Sequence, residues 1–300
     1  DRKRGSMIIL NALPGAIAQG LIWGIMAIGL FISYKVLNFA DLTVDGSFCT
    51  GGAVCALLMV NGVNVWAALL AAIIAGALAG LITGVFNTLM GIPEILAGIL
   101  TQLVLWSVNL KVLGGSNLSL SARTYPVLLS TLSVGKSLII ASAFLVVITG
   151  ILYLFFGTET GSALRATGAN PKMARAQGIN AAFYKVLGLV ISNALVALSG
   201  ALLAQYQGFA DINMGRGAIV TGLAAIIVGL ALAIKISENF AVRLIGVVAG
   251  SVIYFVIFTA IVCLGLDTDL LKMFSALVVA VFLALPHFKN KLKHRGGGEK

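Results

Sequence analysis

Long apolar runs separated by short polar stretches dominate the chain. A transmembrane helix needs about 20 predominantly apolar residues, and this criterion predicts an all-α fold with about nine membrane segments. The predicted segments are 8–33, 46–60, 64–90, 92–112, 137–157, 183–206, 216–233, 241–263 and 269–286. The second segment is short and rich in small residues, which is typical of a broken helix that is buried inside protein rather than facing lipid.

The composition indicates an integral membrane protein. The chain is 60% hydrophobic and only 10% charged, and its mean hydropathy is +1.07, whereas soluble domains are about 25% charged. A disordered chain is excluded, and three cysteines are too few for a disulfide framework. Cys49, Cys55 and Cys263 lie in or beside apolar segments, where cysteines behave as small hydrophobic residues.

Lysine and arginine are distributed unequally between the two sides of the membrane. Alternating the predicted segments places twelve of them on the side of loops 34–45 and 158–182, and five on the other side. The positive-inside rule then predicts that the first side is cytoplasmic and that the amino terminus is outside. Residues 1–6 resemble a cloning remnant, 7–286 form a single transmembrane domain with a cytoplasmic loop at 158–182, and 287–300 form a basic cytoplasmic tail.

A short motif occurs twice. Phe-Ala-Asp-Leu at 39–42 is echoed by Phe-Ala-Asp-Ile at 209–212, and the same offset of 170 places Gly52 on Gly222. The predicted topology puts the two aspartates at opposite faces of the membrane, so the match indicates an inverted repeat with a pathway between its halves. Coincidence is the alternative, because the chain is rich in alanine and glycine.

A second pattern concerns helix packing. Gly76, Gly80 and Gly84 recur at a spacing of four on the third segment. Such glycines form a flat ridge on which another backbone can approach closely. The ridge predicts either packing within the chain or dimerisation.

The sequence contains no motif of catalytic chemistry. It has two histidines and no cysteine pair at metal-ligand spacing, so we expect neither a metal nor a cofactor in this chain. Residues 130–137 end like a phosphate-binding loop but lack the first glycine of G-x-x-x-x-G-K-S/T. We therefore expect the chain not to be an enzyme, and any energy from ATP must be supplied by another chain.

The polar stretch 158–180 combines the signals that begin and end a short helix. Asn170 is a favourable N-cap, Pro171 suits the first helical position and Gly178 permits a left-handed exit. This pattern predicts a free-standing helix over 171–177, which is marginal in water without a partner surface. Basic and apolar side chains surround it: Arg165, Lys172, Met173, Ala174 and Arg175. A loop that rests on lipid headgroups is the alternative.

A few polar residues fall in or beside the predicted segments. An ionisable group in a membrane helix is costly and indicates either function or a buried partner. The candidates for a translocation pathway are Asn38, Asp41, Asp45, Glu94, Thr101, Gln102, Asn109 and Asn193. Structural roles are the alternative for each of them, and Glu94 also suits a helix amino terminus, where the macrodipole stabilises a carboxylate.

Several stretches together resemble a known family. They are NFADLTVDGSFCTGGA (38–53), IPEILAGILT (92–101), GSALRATGANPKMARAQGIN (161–180) and the glycine-rich span 215–229. Through them the chain resembles the permease subunits of ATP-binding-cassette importers of the branched-chain amino acid, ribose and nucleoside type. Residues 41–48 look most like the branch associated with amino-acid uptake, including tryptophan and tyrosine.

The resemblance implies a bacterial inner-membrane permease that passes a small solute, an aromatic or branched-chain amino acid. It implies a homodimer, a cytoplasmic ATPase that binds ATP and magnesium, and an extracytoplasmic solute-binding protein. It also implies that 161–180 docks on the ATPase through Arg165, Asn170, Pro171, Lys172, Met173, Ala174, Arg175 and Gly178. Many relatives have ten spans with both termini inside, which departs from the topology predicted here. A secondary transporter driven by protons or sodium is the alternative function.

Overall fold

The computed structural model describes residues 2–233 and 239–263, together with positions 273, 276, 277 and 280. The helices are α1 (Arg2–Phe31), α2 (Val44–Val60), α3 (Val65–Thr88), α4 (Glu94–Leu113), α5 (Val134–Gly157), α6 (Glu159–Ala169), α7 (Pro171–Ala176), α8 (Ala181–Gln207), α9 (Ala218–Ala233) and α10 (Phe240–Cys263). A π-helical turn, Ile32–Val36, continues α1. Two short antiparallel strands, β1 (Asn117–Ser119) and β2 (Phe209–Asp211), pair at the end of the molecule opposite α6 and α7.

Eight of the nine predicted membrane segments correspond to helices, namely α1–α5 and α8–α10. Six of them are long and apolar enough to cross a membrane, whereas α2 and α9 are shorter, with 17 and 16 residues. The ninth predicted segment, 269–286, and the predicted tail lie outside the described residues, apart from four single positions. The helices confirm the all-α membrane fold.

Helix α2 runs without a break from Val44 to Val60, which corrects the prediction of a broken second helix. Its small residues instead permit close packing against α8. A Cβ atom at Gly51 would overlap the backbone of Ala197, and one at Gly200 would overlap the backbone of Phe48. The irregular backbone lies before the helix, at residues 37–43.

Helices α2 and α9 both begin in the interior of the protein. Ser47, in the first turn of α2, donates a hydrogen bond of 2.6 Å to Asn193 in the middle of α8. Asp45 accepts hydrogen bonds from the backbone N–H groups of Gly217 (3.1 Å) and Ile219 (3.0 Å), where α9 begins. Helices of this length rise about 25 Å, less than the roughly 30 Å hydrocarbon core, so an interior start suits them.

Two pairs of helices, α1 with α10 and α3 with α8, pack in corresponding ways. Helix α3 lies along α8 while α10 lies along α1, and these are among the most extensive helix contacts of the fold. Helices α1 and α8 are antiparallel, as three hydrogen bonds at seven-residue steps show: Tyr206 to Gly15, Ser199 to Ile22 and Ser192 to Gly29. An offset of about 170 residues relates α1 to α8, α2 to α9 and α3 to α10.

The aspartates of the repeated motif make the same turn contact in both copies, although 209–211 form strand β2 and 39–41 are irregular. The Oδ1 atom of Asp41 accepts from the backbone N–H of Thr43 at 2.9 Å. The Oδ1 atom of Asp211 accepts from the N–H of Asn213 at 2.7 Å. In each case the donor follows the aspartate by two positions, so the match includes this contact as well as the sequence.

The glycine ridge of α3 faces α8. A Cβ atom at Gly76 would overlap the Ala197 side chain, and one at Gly80 would overlap the Leu189 carbonyl oxygen. Of the two predicted uses, the ridge therefore serves packing within the chain.

Residues 130–137 form a helix start rather than a phosphate-binding loop. Gly135 and Lys136 belong to the first turn of α5. The Ser137 hydroxyl bonds to both the backbone N–H and the carbonyl of Ser130, each at 2.9 Å. These side-chain contacts hold the segment against α5.

We expect Gly80→Ala to lower the melting temperature of the protein in detergent, because overpacking a close helix contact costs about 1–3 kcal/mol. Gly150→Ala in α5 is the matched control, since no atom lies within 4 Å of its added Cβ. Thermal unfolding followed by size-exclusion chromatography measures both. Equal melting temperatures for Gly80→Ala and the unaltered chain would contradict the close packing of α3 on α8.

Candidate translocation pathway and coupling element

A polar cluster lies in the apolar interior, where the segment before α2 meets the middle of α8. Asp41 is 2% exposed, and its Oδ2 atom accepts a hydrogen bond of 2.7 Å from Asn193. The Oδ1 atom of Asn193 in turn accepts from the Ser47 hydroxyl at 2.6 Å. The hydrogen-bond partners found for Asp41 among the described residues are all neutral. The cluster thus satisfies a costly buried carboxyl group by hydrogen bonds alone.

A chain of three buried hydroxyl groups continues from this cluster. The hydroxyl oxygens of Thr43 and Thr83 are 2.7 Å apart, and the Thr83 hydroxyl lies 2.9 Å from that of Thr101. Thr101 also donates to the carbonyl of Ala97 at 3.0 Å. These contacts tie the entry to α2 to both α3 and α4.

A cleft of about 320 Å³ opens between α2, α4 and the segment before α9. Its polar lining consists of Asp45, Gln102, Asn109 and Arg216, and its apolar lining includes Ile99, Leu103, Trp106 and Ile212. Asn109 is 1% exposed, and its Nδ2 atom lies 3.4 Å from the carbonyl of Gly46. Within the described part of the chain its Oδ1 atom has no hydrogen-bond partner. Convergent polar groups in a mostly apolar cleft suit a small solute.

The structure brings six of the eight predicted pathway residues together. Asp41, Thr101 and Asn193 belong to the buried network, and Asp45, Gln102 and Asn109 line the cleft. The buried residues of α4 include Gly98, Thr101 and Asn109, which share one face of the helix.

Glu94 and Asn38, the other two predicted pathway residues, lie outside both the buried network and this cleft. Glu94 forms a salt bridge of 2.9 Å with Lys185. It lies seven residues, or about 10 Å of helix rise, from Thr101 on α4. The two residues therefore share a face of the helix but lie at different depths in the membrane. Glu94 is the first residue of α4, as its alternative role at a helix amino terminus requires. Asn38 has a positive φ of 53° and lines a separate cleft with Lys35 and Arg165.

Four residues of the site were missed by reasoning from the sequence. Ser47 and Thr43 lie inside the DLTVDGSF stretch, which was noticed only as a family motif. Thr83 is a single hydroxyl group in an apolar helix, and such residues often bond only to their own backbone. Arg216 was counted only as a loop charge, although it directly precedes the glycine that bonds to Asp45.

The predicted coupling loop folds into two consecutive short helices, α6 and α7. Thr158 caps α6 by accepting from Gly161 at 3.3 Å. Asn170 caps α7 by accepting from the N–H groups of Lys172 and Met173, both at 3.1 Å. Gly178, with a φ of 80°, ends α7 in the left-handed conformation. The predicted caps are therefore in place, and α7 ends one residue earlier than expected.

Helix α7 is not free-standing, because one of its sides packs on the rest of the chain. Ala174 is 2% exposed, whereas Met173 is 60% exposed and Lys172 and Arg175 also face outward. The helix thus presents one apolar and two basic side chains on a single outer surface.

Helix α6 joins α7 to the polar cluster. Its Leu164 is fully buried, and a Cβ atom at Gly168 would overlap the carbonyl of Val36. Val36 and Leu37 lead directly into the segment that carries Asp41. Arg165 is exposed, as expected, and it also donates to the carbonyl of Phe156 at 2.8 Å, which anchors α6 to the end of α5.

An all-helical membrane domain with a polar cleft and a buried polar network defines a multi-pass membrane transport protein. The family described as "Branched-chain amino acid transport system / permease component" matches residues 13–285. The chain belongs to this family. It is the permease component of an ABC-type transport system in the bacterial inner membrane, and such a component is not itself catalytic.

Similar proteins support this assignment. The chain is 38% identical to a tyrosine transport system permease protein of Clostridioides difficile (strain R20291), over 95% of this chain and 94% of that protein. It is 37% identical to an uncharacterized protein of Rickettsia prowazekii (strain Madrid E), over 92% and 98%. It is 25% identical to a fructose import permease protein of Bifidobacterium longum (strain NCC 2705), over 82% and 69%.

A solved structure shares the fold. PsaBC from Streptococcus pneumoniae in complex with Fab aligns with a TM-score of 0.51 at 17% identity, over 93% of this chain and 90% of that chain. At this identity the similarity concerns the fold alone.

We expect Asn193→Leu to destabilise the protein by about 1–3 kcal/mol, because it leaves Asp41 and Ser47 without their side-chain partner. The double variant Asp41→Leu, Asn193→Leu removes both polar groups. Its loss of unfolding free energy should therefore be smaller than the sum of the losses in Asp41→Leu and Asn193→Leu. Denaturation in detergent measures the three free energies of unfolding. A double loss equal to the sum would show that the two side chains are not coupled.

Proposed function

We propose that this chain forms the translocation pathway of an ATP-driven importer for an amino acid. A solute-binding protein delivers the amino acid from outside, and a cytoplasmic ATPase drives its passage. The observation that carries this proposal is the α6–α7 unit, which has a rigid, capped outer helix and a packed inner helix that touches the pathway segment.

The contacts supply a continuous route for coupling. An ATPase that docks on Lys172, Met173 and Arg175 would displace α7 and, with it, α6. Gly168 of α6 lies against Val36, and the next residues enter the buried network at Asp41. Because protein interiors are closely packed, a displacement at one end of such a series moves the other end.

The cleft also supports a homodimer. Its polar groups open on the side of α4 where Ile99, Leu103 and Trp106 are exposed. Charged groups that face lipid are costly, so this side is better suited to a water-filled pathway between two copies. The remaining exposed apolar surface of α3 and α5 suits lipid.

The relatives and the cleft together support a substrate class. The 38% identical protein is named for tyrosine transport, whereas the protein named for fructose import is only 25% identical. The indole of Trp106 and the neighbouring aliphatic residues of the cleft suit an aromatic or branched side chain. We therefore assign an aromatic or branched-chain amino acid as the solute.

A transporter driven by protons or sodium is a second candidate, because Asp41 is buried with only neutral partners among the described residues. Such carboxyl groups occur in proton relays. Uptake into proteoliposomes separates the two functions. The importer requires ATP and the ATPase and is insensitive to ionophores, whereas the second candidate requires the ion gradient alone.

We expect Ala174→Pro to abolish transport while normal amounts of protein reach the membrane. The proline removes the 3.0 Å hydrogen bond from Ala174 to the carbonyl of Asn170 and costs about 3 kcal/mol or more in a helix interior. Glu159→Pro is the matched control, because it places proline at the first position of α6, where helices tolerate it. ATP-dependent uptake by the complete transporter measures both.

The result for Ala174→Pro tests the coupling role directly. Correct insertion together with wild-type uptake and a fully coupled ATPase would show that α7 does not transmit the movement. Loss of uptake in Glu159→Pro as well would assign the defect to the loop in general rather than to α7.

The proposed topology has nine membrane segments with the amino terminus outside, and it places α6 and α7 in the cytoplasm. After replacement of the native cysteines, we expect Lys172→Cys to react only from the cytoplasm and Asn117→Cys only from outside. Both side chains are exposed, at opposite ends of the molecule. Labelling of Lys172→Cys by an impermeant maleimide in intact cells would reverse the orientation and remove the docking proposal.

A further inference from the structure

The cleft between α2, α4 and the segment before α9 contains charges of both signs that do not form a salt bridge with each other. Asp45 and Arg216 both line it, and Gly217, the neighbour of Arg216, bonds to the carboxylate of Asp45. Within the part of the chain that the structure describes, the one salt bridge joins Lys185 to Glu94. The cleft therefore presents a separate carboxylate and a separate guanidinium group.

The carboxylate of Asp45 retains acceptor capacity towards the cleft. A carboxylate offers about four acceptor positions, and the N–H groups of Gly217 and Ile219 occupy two of them. Arg216 is exposed and its fork of donors matches a carboxylate in geometry. One wall thus suits an ammonium group and the other a carboxylate.

Asn109 supplies a second, independent indication of a ligand. Its side chain is buried in the wall of the cleft, and its Oδ1 atom has no hydrogen-bond partner among the residues that the structure describes. A buried acceptor without a donor is costly and uncommon. An ammonium group, which carries three donors, would satisfy Asn109 and Asp45 together.

The size and the apolar lining limit the ligand further. A volume of about 320 Å³ is at the lower end for ligand pockets, so one small molecule fills it. Ile99, Leu103 and Trp106 form an apolar surface beside the polar groups. An aromatic or aliphatic side chain on this surface would be removed from water.

We infer that this cleft binds an α-amino acid as a zwitterion, with its ammonium group at Asp45 and Asn109, its carboxylate at Arg216 and its side chain on Trp106. The inference rests on the proposed function and gives the permease a selecting role of its own. The chain then rejects amines and acids that lack one of the two charged groups, in addition to any selection by a solute-binding protein.

Ligand-observed NMR on the full chain in nanodiscs, without ATPase or binding protein, tests the site. The probes are L-tyrosine, tyramine, which lacks the carboxylate, and 3-(4-hydroxyphenyl)propionate, which lacks the amine. We expect L-tyrosine to bind at least tenfold more tightly than either of the other two. Arg216→Gln should weaken the binding of L-tyrosine at least tenfold, and Asn109→Leu should weaken it as well. Arg123→Gln, an exposed arginine that is not part of the cleft, is the matched control and should change nothing.

A charge reversal tests the inference without relying on loss of binding. Arg216→Glu should reverse the order of affinities, so that tyramine binds more tightly than L-tyrosine. Three results would each overturn the zwitterion site. They are equal binding of the three probes to the unaltered chain, no binding of L-tyrosine to it, and an unchanged order of affinities in Arg216→Glu.

The proposed function is tested separately by ATP-dependent uptake in the complete transporter. Uptake that persists in Arg216→Gln with unchanged selectivity overturns the zwitterion site and leaves the importer intact. Binding of L-tyrosine that depends on Arg216, without ATP-dependent uptake by the unaltered transporter, supports the site and rejects the importer.

Discussion

The fold depends on satisfying backbone groups of helices that begin inside the membrane domain. A hydrocarbon core contains no water, so backbone N–H and carbonyl groups at that depth need partners within the protein or in a water-filled cavity. At the start of α9 the Asp45 carboxylate meets this requirement by accepting hydrogen bonds from two backbone N–H groups. The helix dipole also favours a negative charge at this end of a helix. The position of Asp45 in turn brings α2, α4 and α9 to one cleft, so the same constraint that closes the backbone places the candidate site.

Small residues allow the interior to be this dense. Glycines of α2, α3 and α6 lie where a Cβ atom would overlap a neighbouring backbone, at Gly51, Gly80 and Gly168. Helices without such residues would be held further apart by their side chains. Close contact also forms a packed path from α6, which leads into α7, to the segment that carries Asp41.

Local sequence patterns determined a large part of this structure. Apolar runs of sufficient length define the spanning helices, because the hydrophobic effect acts on each segment independently of its neighbours. The caps of α7 were equally predictable, since Asn170, Pro171 and Gly178 act within one or two turns of their own positions. The spacing of Gly76, Gly80 and Gly84 likewise predicted a packing ridge, although not which helix packs on it.

Only the tertiary structure decided which polar residues meet. Asp41 and Asn193 are 152 positions apart, and Asp45 and Gly217 are 172 apart; no local pattern encodes such pairs. Glu94 shares a helical face with Thr101 yet pairs with Lys185, because a face specifies direction around the axis and not depth along it. The sequence by itself thus determined the long membrane helices and the caps of α7. The buried network and the cleft arise from contacts between distant segments, which depend on how the helices pack.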